Sequence, residues 1–450
     1  MTWMPLWAQG LLILAGLLVA RAALSTARTP QGAAAWVVFL VSFPLIALPA
    51  YALFGSVSRI NARIDDRHRS RMSDGKLESR LGLLAPITRT TLHDGNELRL
   101  LINGRATFDA IFEAIDGAEQ DVAVQYYMIA DDALGHELRD HLIAAAKRGV
   151  KVRVLCDLVG SLFLGWRYSR ELRAAGIELR GIPGPHRALG RIGLNFRNHR
   201  KAVIVDGRIG FTGGINAGQD YIDGGKAFKS WRDTHLRMEG PMAAQLHHLF
   251  AADWEAVTET KLPELPVPGH VGSVRGLVTG HGPTDKMERG SLLLCGLVGL
   301  AKRRLWIATP YLIPHADLIT ALQLAALRGV EVKILIPRDS DNILAWYATR
   351  NYALSQTGIG IQIHEYMPGF MHQKIILIDD DIASVGTINI DMRSSLLNFE
   401  ETALIEDRGF AQEVEAMLID DFANAQKLEP PGAWHVRLLS PVARLFGPLL

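Results

Sequence analysis

Two related stretches decide the fold of this chain: residues 198–216 read NHRKAVIVDGRIGFTGGIN, and residues 371–389 read MHQKIILIDDDIASVGTIN. Both follow the pattern H-x-K-x4-D-x6-G-x-x-N. A single short H-x-K-x4-D match is weak evidence, because such a pattern also arises by chance. Two copies, each with its asparagine at the same offset, indicate a duplicated functional unit.

A longer repeat surrounds the two motifs. Each copy has a short apolar strand, a helical pattern, a glycine and a second apolar strand, at residues 122–155 and again at residues 305–336. Strand, helix, glycine and strand in this order are typical of βαβ units and a parallel sheet. The sequence therefore predicts an α/β fold made of two βαβ-rich halves around a pseudo-twofold axis.

The N-terminus carries two long apolar stretches, Trp3 to Leu24 and Ala33 to Phe54, separated by a short polar turn. Each is long enough to cross a hydrocarbon core, which needs about 20 helical residues. A signal peptide fits poorly because no basic region precedes the first stretch; a buried helical pair is the other alternative. The prediction is a two-helix transmembrane hairpin.

The expected domain organisation follows from these features and from a proline-rich stretch near residue 266. It comprises a transmembrane hairpin at 1–55, a linker at 56–85, a first half with the first motif at 86–260, a linker at 261–272, and a second half with the second motif at 273–450. Basic residues between 59 and 71 place that side of the membrane in the cytoplasm by the positive-inside rule. The catalytic part is therefore expected to be cytoplasmic.

The overall composition excludes some classes of function. The chain has 48 basic and 47 acidic residues, so no global positive charge indicates nucleic acid as a partner. It has two cysteines and no Cys/His ligand spacing, so no metal site is predicted.

Strand geometry brings the histidine and the lysine of each motif together. The residues after each lysine are β-branched and aliphatic, and alternate residues of a strand share a face. His199 and Lys201 should therefore point the same way, as should His372 and Lys374. Two fixed positive charges suit a phosphate, and two imidazoles suit a nucleophile and a general acid. This chemistry requires no metal or other cofactor.

The remaining motif residues are assigned by their position on the strand. Asp206 and Asp379 have the opposite parity to their lysines and lie at the strand ends, so a turn or strand-end hydrogen-bonding role suits them better than direct chemistry. Asn216 and Asn389 are candidate donors to the phosphoryl oxygens. The candidate catalytic set is the complete pair of motifs: His199, Lys201, Asp206, His372, Lys374 and Asp379.

The duplicated motif resembles the paired HKD motifs of the phospholipase D superfamily, from about residue 91 to the C-terminus. The resemblance implies that one histidine attacks the phosphodiester to form a phosphohistidine, while the other protonates the leaving alcohol and then deprotonates the incoming one. It assigns His199 as the nucleophile and His372 as the acid and base. The hydroxyl residue that follows the motif glycine in this superfamily is Thr387 in the second half, a candidate phosphate ligand. Gly214 stands there in the first half.

The resemblance also implies carboxylates that orient the histidines. Glu400 lies 28 residues beyond His372, a spacing that the superfamily uses for this purpose. Asp233 is its candidate counterpart in the first half, although an ordinary surface carboxylate is an equal alternative for Asp233.

Several further stretches resemble bacterial cardiolipin synthases. They are the N-terminal hairpin, Gln125-Tyr126-Tyr127, Trp231-Arg232-Asp233-Thr234-His235, Thr309-Pro310-Tyr311, Asp391-Met392-Arg393-Ser394 and Asn398-Phe399-Glu400. This resemblance implies a multi-pass protein of the bacterial plasma (inner) membrane. Its implied reaction moves a phosphatidyl group between two molecules of phosphatidylglycerol, an anionic phospholipid, and releases glycerol. The alternatives are a hydrolytic phospholipase D, a transphosphatidylase with another donor or acceptor such as phosphatidylethanolamine, and a non-catalytic scaffold, which the intact motifs disfavour.

Overall fold

The computed structural model describes residues 5–26, 30–54, 79–182, 196–263, 265, 268–285, 287–430 and 433–450. These residues fall into two compact units. One holds residues 5–26, 30–54 and 196, and the other holds residues 79–182 and the described residues from 197 onward. The predicted linker at 56–85 lies outside the described residues up to position 78, as do the basic residues between 59 and 71.

The N-terminal unit consists of three helices, Leu6–Thr26, Pro30–Ser42 and Pro44–Phe54. The predicted second span is therefore two helices, because proline has no N–H and disfavours a helical conformation at the preceding residue, here Phe43. The helices pack through small side chains, and a Cβ at Gly16 would lie 2.7 Å from the Leu40 carbonyl oxygen. Among the described helices, one is long and apolar enough to cross a membrane, over Leu6–Ser25.

The larger unit is built on one continuous sheet, with a few short strand pairs beside it. The strands of the first half are β1 His93–Ile102, β2 Asp121–Tyr126, β3 Lys151–Asp157, β4 Glu178–Ile182, β5 Arg197–Asn198, β6 Ala202–Val205, β7 Ile209–Gly213, β8 Trp231–Arg232 and β9 Thr234–Glu239. Those of the second half are β10 Val274–His281, β11 Arg304–Ala308, β12 Leu312–Ile313, β13 Glu331–Pro337, β14 Gln362–Tyr366, β15 Phe370–Met371, β16 Ile375–Ile378, β17 Ile382–Gly386, β18 Ile390–Asp391, β19 Asn398–Glu406 and β20 Ala425–Lys427.

Helices cover both faces of this sheet. They span Ala85–Thr88, Asn103–Asp116, Ala133–Lys147, Trp166–Ala174, Asp220–Asp223, Pro241–Thr258, Arg289–Leu300, Ala316–Leu327, Ile343–Gln356, Met392–Leu396, Arg408–Ala423 and Trp434–Arg444. Short 3-10 turns lie at Leu81–Leu84, Thr357–Ile359 and Gly447–Leu449.

The same strand order occurs twice in the sheet. The first half runs β1-β9-β7-β6-β2-β3-β4, and the second runs β10-β19-β17-β16-β11-β13-β14. In both halves the last three strands are parallel, and the two halves join through the antiparallel pair of β1 and β10. The mixed α/β fold predicted from the sequence is confirmed.

The hydrophobic core is layered around the sheet. Each half packs its own βαβ helices against one face, through residues such as Phe108 in the first half and Leu322 in the second. The other face forms a core shared by both halves, where the helices Pro241–Thr258 and Arg408–Ala423 pack. A shared core ties the two motifs to one rigid support, which positions their side chains relative to each other.

Candidate active site

Each HKD histidine is held by a strand of the opposite half. The short strand β5, just before His199, pairs in parallel with β19 of the second half, and β15, just before His372, pairs in parallel with β8 of the first half. The His199 N–H donates to the Phe399 carbonyl at 2.9 Å, and the His372 N–H donates to the Arg232 carbonyl at 2.8 Å. Each half therefore supplies the strand that holds the histidine of the other half.

This pairing between strands of the two halves places one buried carboxylate beside each imidazole. Nδ1 of His199 lies 2.9 and 3.0 Å from the two carboxylate oxygens of Glu400. Nδ1 of His372 lies 2.8 Å from Oδ2 of Asp233. Glu400 and Asp233 are both fully buried. The carboxylates fix which ring nitrogen carries the proton, so that Nε2 of each imidazole is left for chemistry.

The two lysines lie in the same cluster. Lys201 Nζ donates to the His199 carbonyl at 2.8 Å, and Lys374 Nζ donates to the His372 carbonyl. Lys374 Nζ also lies 2.9 and 3.0 Å from the two ring nitrogens of His372. Burial lowers the pKa of Lys201 to about 7 and that of Lys374 to about 8. Burial also lowers the pKa of His199, and the charge of Lys374 acts in the same direction on both His199 and Lys201, so the two motifs form one electrostatic site.

Burial, neighbouring charges and hydrogen bonds together lower the pKa of the other ionisable groups of the site. Burial lowers the pKa of His372 to about 4, and the neighbouring Lys374 ammonium acts in the same direction. Burial by itself would raise the pKa of Glu400 and Asp233, but the charges and hydrogen bonds of their histidines and lysines lower each to about 2. Both carboxylates are therefore ionised, and His372 is neutral in the free site at pH 7.

The motif aspartates lie at the strand ends, away from this cluster. Asp206 accepts backbone N–H groups of residues 119–121 at 2.8 to 3.0 Å. Asp379 accepts those of residues 302–304 at 2.8 to 3.2 Å and pairs with Arg80 at 2.6 Å. Both have a positive φ, near 50°, which a tight turn requires. They fix the start of β2 and β11 and do not contact the histidines.

The candidate phosphate ligands have different surroundings. The Asn216 side chain donates to the Tyr221 hydroxyl and accepts the Met128 N–H at 3.3 Å. Oδ1 of Asn389 is buried and has no hydrogen-bond partner among the described residues. The Thr387 hydroxyl donates to the Glu400 carboxylate, which is itself bound to His199. At Gly214, its counterpart, an added Cβ would lie 2.0 Å from Asp233 Oδ1, which leaves no room for a side chain.

Aromatic rings and buried ion pairs complete the site, and the motif pattern did not reveal them. The Tyr127 ring lies edge-on to His199 at 5.4 Å, and the Trp231 ring lies 5.2 Å from His372. Arg200 pairs with Asp253 at 2.8 Å. Between the two halves, Arg232 on β8 of the first half pairs with Asp421 of the second half at 2.7 Å. Both aspartates lie on the helices of the shared core, so these ion pairs anchor the motif strands to that core. No group of His, Cys, Asp and Glu side chains suited to a metal ion occurs in the part of the chain that the structure describes.

Comparison with known proteins identifies the family of this chain. A family model described as cardiolipin synthase, PLD-like domain, matches residues 111–254 and 294–421, one segment in each half. Cardiolipin synthase A of Pseudomonas aeruginosa (strain LESB58) is 40% identical over 476 residues, which cover 100% of this chain and 96% of the relative. The chain belongs to the cardiolipin synthase family of phospholipase D-like proteins. Cardiolipin synthase A of Pseudomonas putida is 38% identical and covers 98% of this chain and 97% of the relative.

Solved structures of lower identity share the fold of this cardiolipin synthase family member. Phosphatidylserine synthase from Haemophilus influenzae Rd KW20 has a TM-score of 0.61 at 13% identity, and covers 78% of this chain and 95% of that one. Polyphosphate kinase from Porphyromonas gingivalis has a TM-score of 0.52 at 14% identity, with 78% and 53% covered. The family model and the Pseudomonas relatives confirm the resemblance to the phospholipase D superfamily and to bacterial cardiolipin synthases.

Proposed function

We propose that this protein is a cardiolipin synthase that transfers a phosphatidyl group from one phosphatidylglycerol to the terminal hydroxyl of another and releases glycerol. The observation that carries the proposal is the crosswise pairing of each motif histidine with a buried carboxylate, beside two buried lysines. This arrangement supplies a nucleophile, an acid and positive charge for a phosphodiester. Family membership supports the same reaction.

In the first step, Nε2 of His199 attacks the phosphorus of the donor lipid. The P–N bond forms as the P–O bond to glycerol breaks, and Nε2–H of His372 gives its proton to the glycerol oxygen. Glu400 stabilises the positive charge that develops on His199. The choice of His199 as the nucleophile is supported by Lys374, whose ammonium lies against both ring nitrogens of His372 and competes for the Nε2 lone pair that an attack on phosphorus needs. Lys201, by contrast, donates to a backbone carbonyl.

In the second step, the acceptor hydroxyl gives its proton to Nε2 of His372 and attacks the phosphorus. The P–N bond to His199 breaks and cardiolipin leaves.

His372 is neutral in the free site, so it must gain a proton when substrate binds. The anionic phosphodiester favours this because negative charge close to an imidazole raises its pKa.

We also propose the finer organisation of the chain that the sequence indicates. The two apolar stretches at residues 3–24 and 33–54 form a membrane hairpin of the bacterial inner membrane, with the catalytic part in the cytoplasm. The repeated strand order supports two halves, residues 86–260 and 273–450, related by a pseudo-twofold axis. The pattern of exposed leucines on the helix Leu6–Thr26 supports contact with lipid.

The test incubates purified full-length protein in detergent with phosphatidylglycerol alone and separates the lipid products. Cardiolipin and glycerol are expected in equal amounts. His199→Ala and His372→Ala should abolish both products, while His248→Ala, a change at an exposed histidine outside the site, should not. Phosphatidic acid without cardiolipin would refute the proposal in favour of hydrolysis.

The covalent intermediate has its own test. The protein reacts with lipid labelled in its phosphate, and the reaction is stopped without acid. Label should then remain on the peptide that contains His199. The label should be absent from His199→Ala. Label found on the His372 peptide instead would reverse the two assignments.

A further inference from the structure

The larger unit exposes large apolar side chains in two segments, one after β3 and one at the C-terminal end of the second half. In the first half, the segment after β3 exposes Leu162 by 67%, Phe163 by 90% and Trp166 by 72%. In the second half, the C-terminal segment exposes Leu438 by 60% and Leu445 by 78%. Single exposed apolar side chains are ordinary, but clustered ones mark interaction sites.

The first segment lies directly beside His199. Asp157, at the end of β3, accepts the Asn198 N–H at 3.0 Å. Ser161 donates to the Tyr127 carbonyl at 3.3 Å and accepts the Ile129 N–H at 3.0 Å. The loop that presents Leu162 and Phe163 is therefore attached to the residues that flank the first histidine.

The second segment lies at the same edge of the sheet in the second half. The helix Trp434–Arg444 packs on the helix Ile343–Gln356, which begins after β13, the counterpart of β3. The chain then passes Gly447, which lies against Ile313 and Met392. Carboxyl ends of parallel strands meet at one edge, where the sites of α/β proteins form. Both segments therefore lie at the sheet edge where the motif histidines lie.

Charge in these segments complements an anionic bilayer. Residues 433–450 contain Arg437 and Arg444 and no acidic side chain. In the first segment, Arg167 pairs with Glu171 at 2.8 Å, and the Arg170 guanidinium lies over the Trp166 ring at 4.4 Å. The C-terminal helix buries one face, through Val436, Ser440 and Ala443, and turns its leucines outward. Apolar residues combined with basic ones are typical of helices that lie in a membrane interface.

We infer that these segments form an apolar rim, Leu162, Phe163, Trp166, Trp434, Leu438 and Leu445, that inserts into the surface of an anionic bilayer around the catalytic opening. A phosphate on a two-chain lipid reaches buried histidines without leaving the bilayer only if the opening is pressed against it. The inference rests on the proposed function because that function requires a lipid phosphate to reach the histidines. Insertion of the rim into a bilayer can be measured without any catalytic turnover.

The test places an environment-sensitive fluorophore at single positions of the full-length protein. Cys156 and Cys295 are unpaired thiols and are replaced by serine. Phe163→Cys and Leu438→Cys are labelled with a nitrobenzoxadiazole dye and reconstituted in phosphatidylglycerol-containing vesicles. Leu327→Cys is the matched control, since Leu327 is 72% exposed and lies at the opposite edge of the sheet, just before β13 begins.

The rim labels should show blue-shifted emission and be quenched at least about twofold by lipids with a nitroxide on the acyl chain, whereas the Leu327→Cys label should not. Absence of quenching at both rim positions overturns the inference. A blue shift without quenching also overturns it, because the rim then contacts a second copy of the chain.

Activity supplies an independent readout. Leu438→Asp and Phe163→Asp should each lower cardiolipin formation on vesicles about tenfold, because each removes burial of a large apolar side chain. The same variants should leave turnover of a monomeric short-chain phosphatidylglycerol unchanged, and Leu327→Asp should alter neither rate. Equal losses on both substrates would overturn the inference. A protein that shows quenching but forms no cardiolipin would refute the proposed function and leave the rim intact.

Discussion

Replacement of Glu400 by glutamine tests the crosswise carboxylate–histidine pair most directly. Glutamine keeps the size of the side chain and removes its charge, so the packing around Thr387 and Asn398 is retained. Its amide N–H₂ can donate to Nδ1 of His199, which then carries no proton, and the proton moves to Nε2. The nitrogen that attacks phosphorus thereby loses its lone pair.

The magnitude follows from the geometry. Nδ1 of His199 lies 2.9 and 3.0 Å from the two carboxylate oxygens, so one residue controls both the tautomer and the charge on the imidazole. A wrong tautomer in a comparable carboxylate–histidine pair lowers kcat about 10⁴-fold. We expect Glu400→Gln to lower kcat by about 10³- to 10⁴-fold, equivalent to about 4 to 5.5 kcal/mol of transition-state stabilisation. KM should change little because the lysines are retained.

The assay measures cardiolipin formation in mixed micelles over a range of phosphatidylglycerol concentrations, with thermal unfolding as a test of folding. The matched control is Glu401→Gln on the same strand. Glu401 accepts the Lys201 N–H at 3.1 Å and the Thr212 hydroxyl at 2.8 Å, and it makes no contact with either histidine. The control should lose less than about tenfold in kcat. A folded Glu400→Gln protein with kcat within tenfold of wild type would refute the reasoning.

Three further predictions test other parts of the site. Asp233→Asn should slow phosphatidylglycerol turnover about 10³-fold but spare cleavage of a p-nitrophenyl phosphodiester, whose leaving group needs no proton from His372; equal losses on both substrates would contradict the acid role. Asp379→Ala should lower the free energy of unfolding by about 1 to 3 kcal/mol, because it leaves backbone N–H groups without their acceptor and removes one of the two carboxylates that pair with Arg80, while kcat per folded molecule stays near wild type. Burial raises the pKa of Glu401 to about 7, above its value in the unfolded chain. The stability that protonated Glu401 contributes is therefore fully present below about pH 4.5 and is lost as the pH rises through 7. Glu401→Gln should remove that loss, on the order of 2 kcal/mol between pH 5 and pH 8, and identical melting curves for both proteins at both pH values would argue against it.

Much of the fold and of the reactive set was predictable from the sequence. The duplicated H-x-K-x4-D pattern and the βαβ pattern around it depend on local periodicity, which a short stretch displays completely. Strand parity put each histidine beside its lysine, and it assigned Asp206 and Asp379 to the strand ends, where the structure also places them.

Other features depended on contacts between residues far apart in the chain. The Thr387 hydroxyl, a candidate phosphate ligand, donates to Glu400 on the neighbouring strand, a contact that the motif pattern does not indicate. The second apolar stretch was expected to be one helix, and Pro44 divides it after Phe43. The ion pair of Arg200 connects the first motif to a helix of the shared core, and that of Arg232 connects β8 to another helix of that core. The motif pattern does not indicate either ion pair.

The sequence by itself determined which groups carry the chemistry, because a repeated motif fixes residue types and their spacing along a strand. Only the tertiary structure decided that Glu400 serves His199 and Asp233 serves His372. The partners lie 201 and 139 residues apart, and two-residue strands that are too short to leave a periodic pattern bring them together. Each half thus supplies the carboxylate that the other half's histidine requires, and neither half forms the complete site alone.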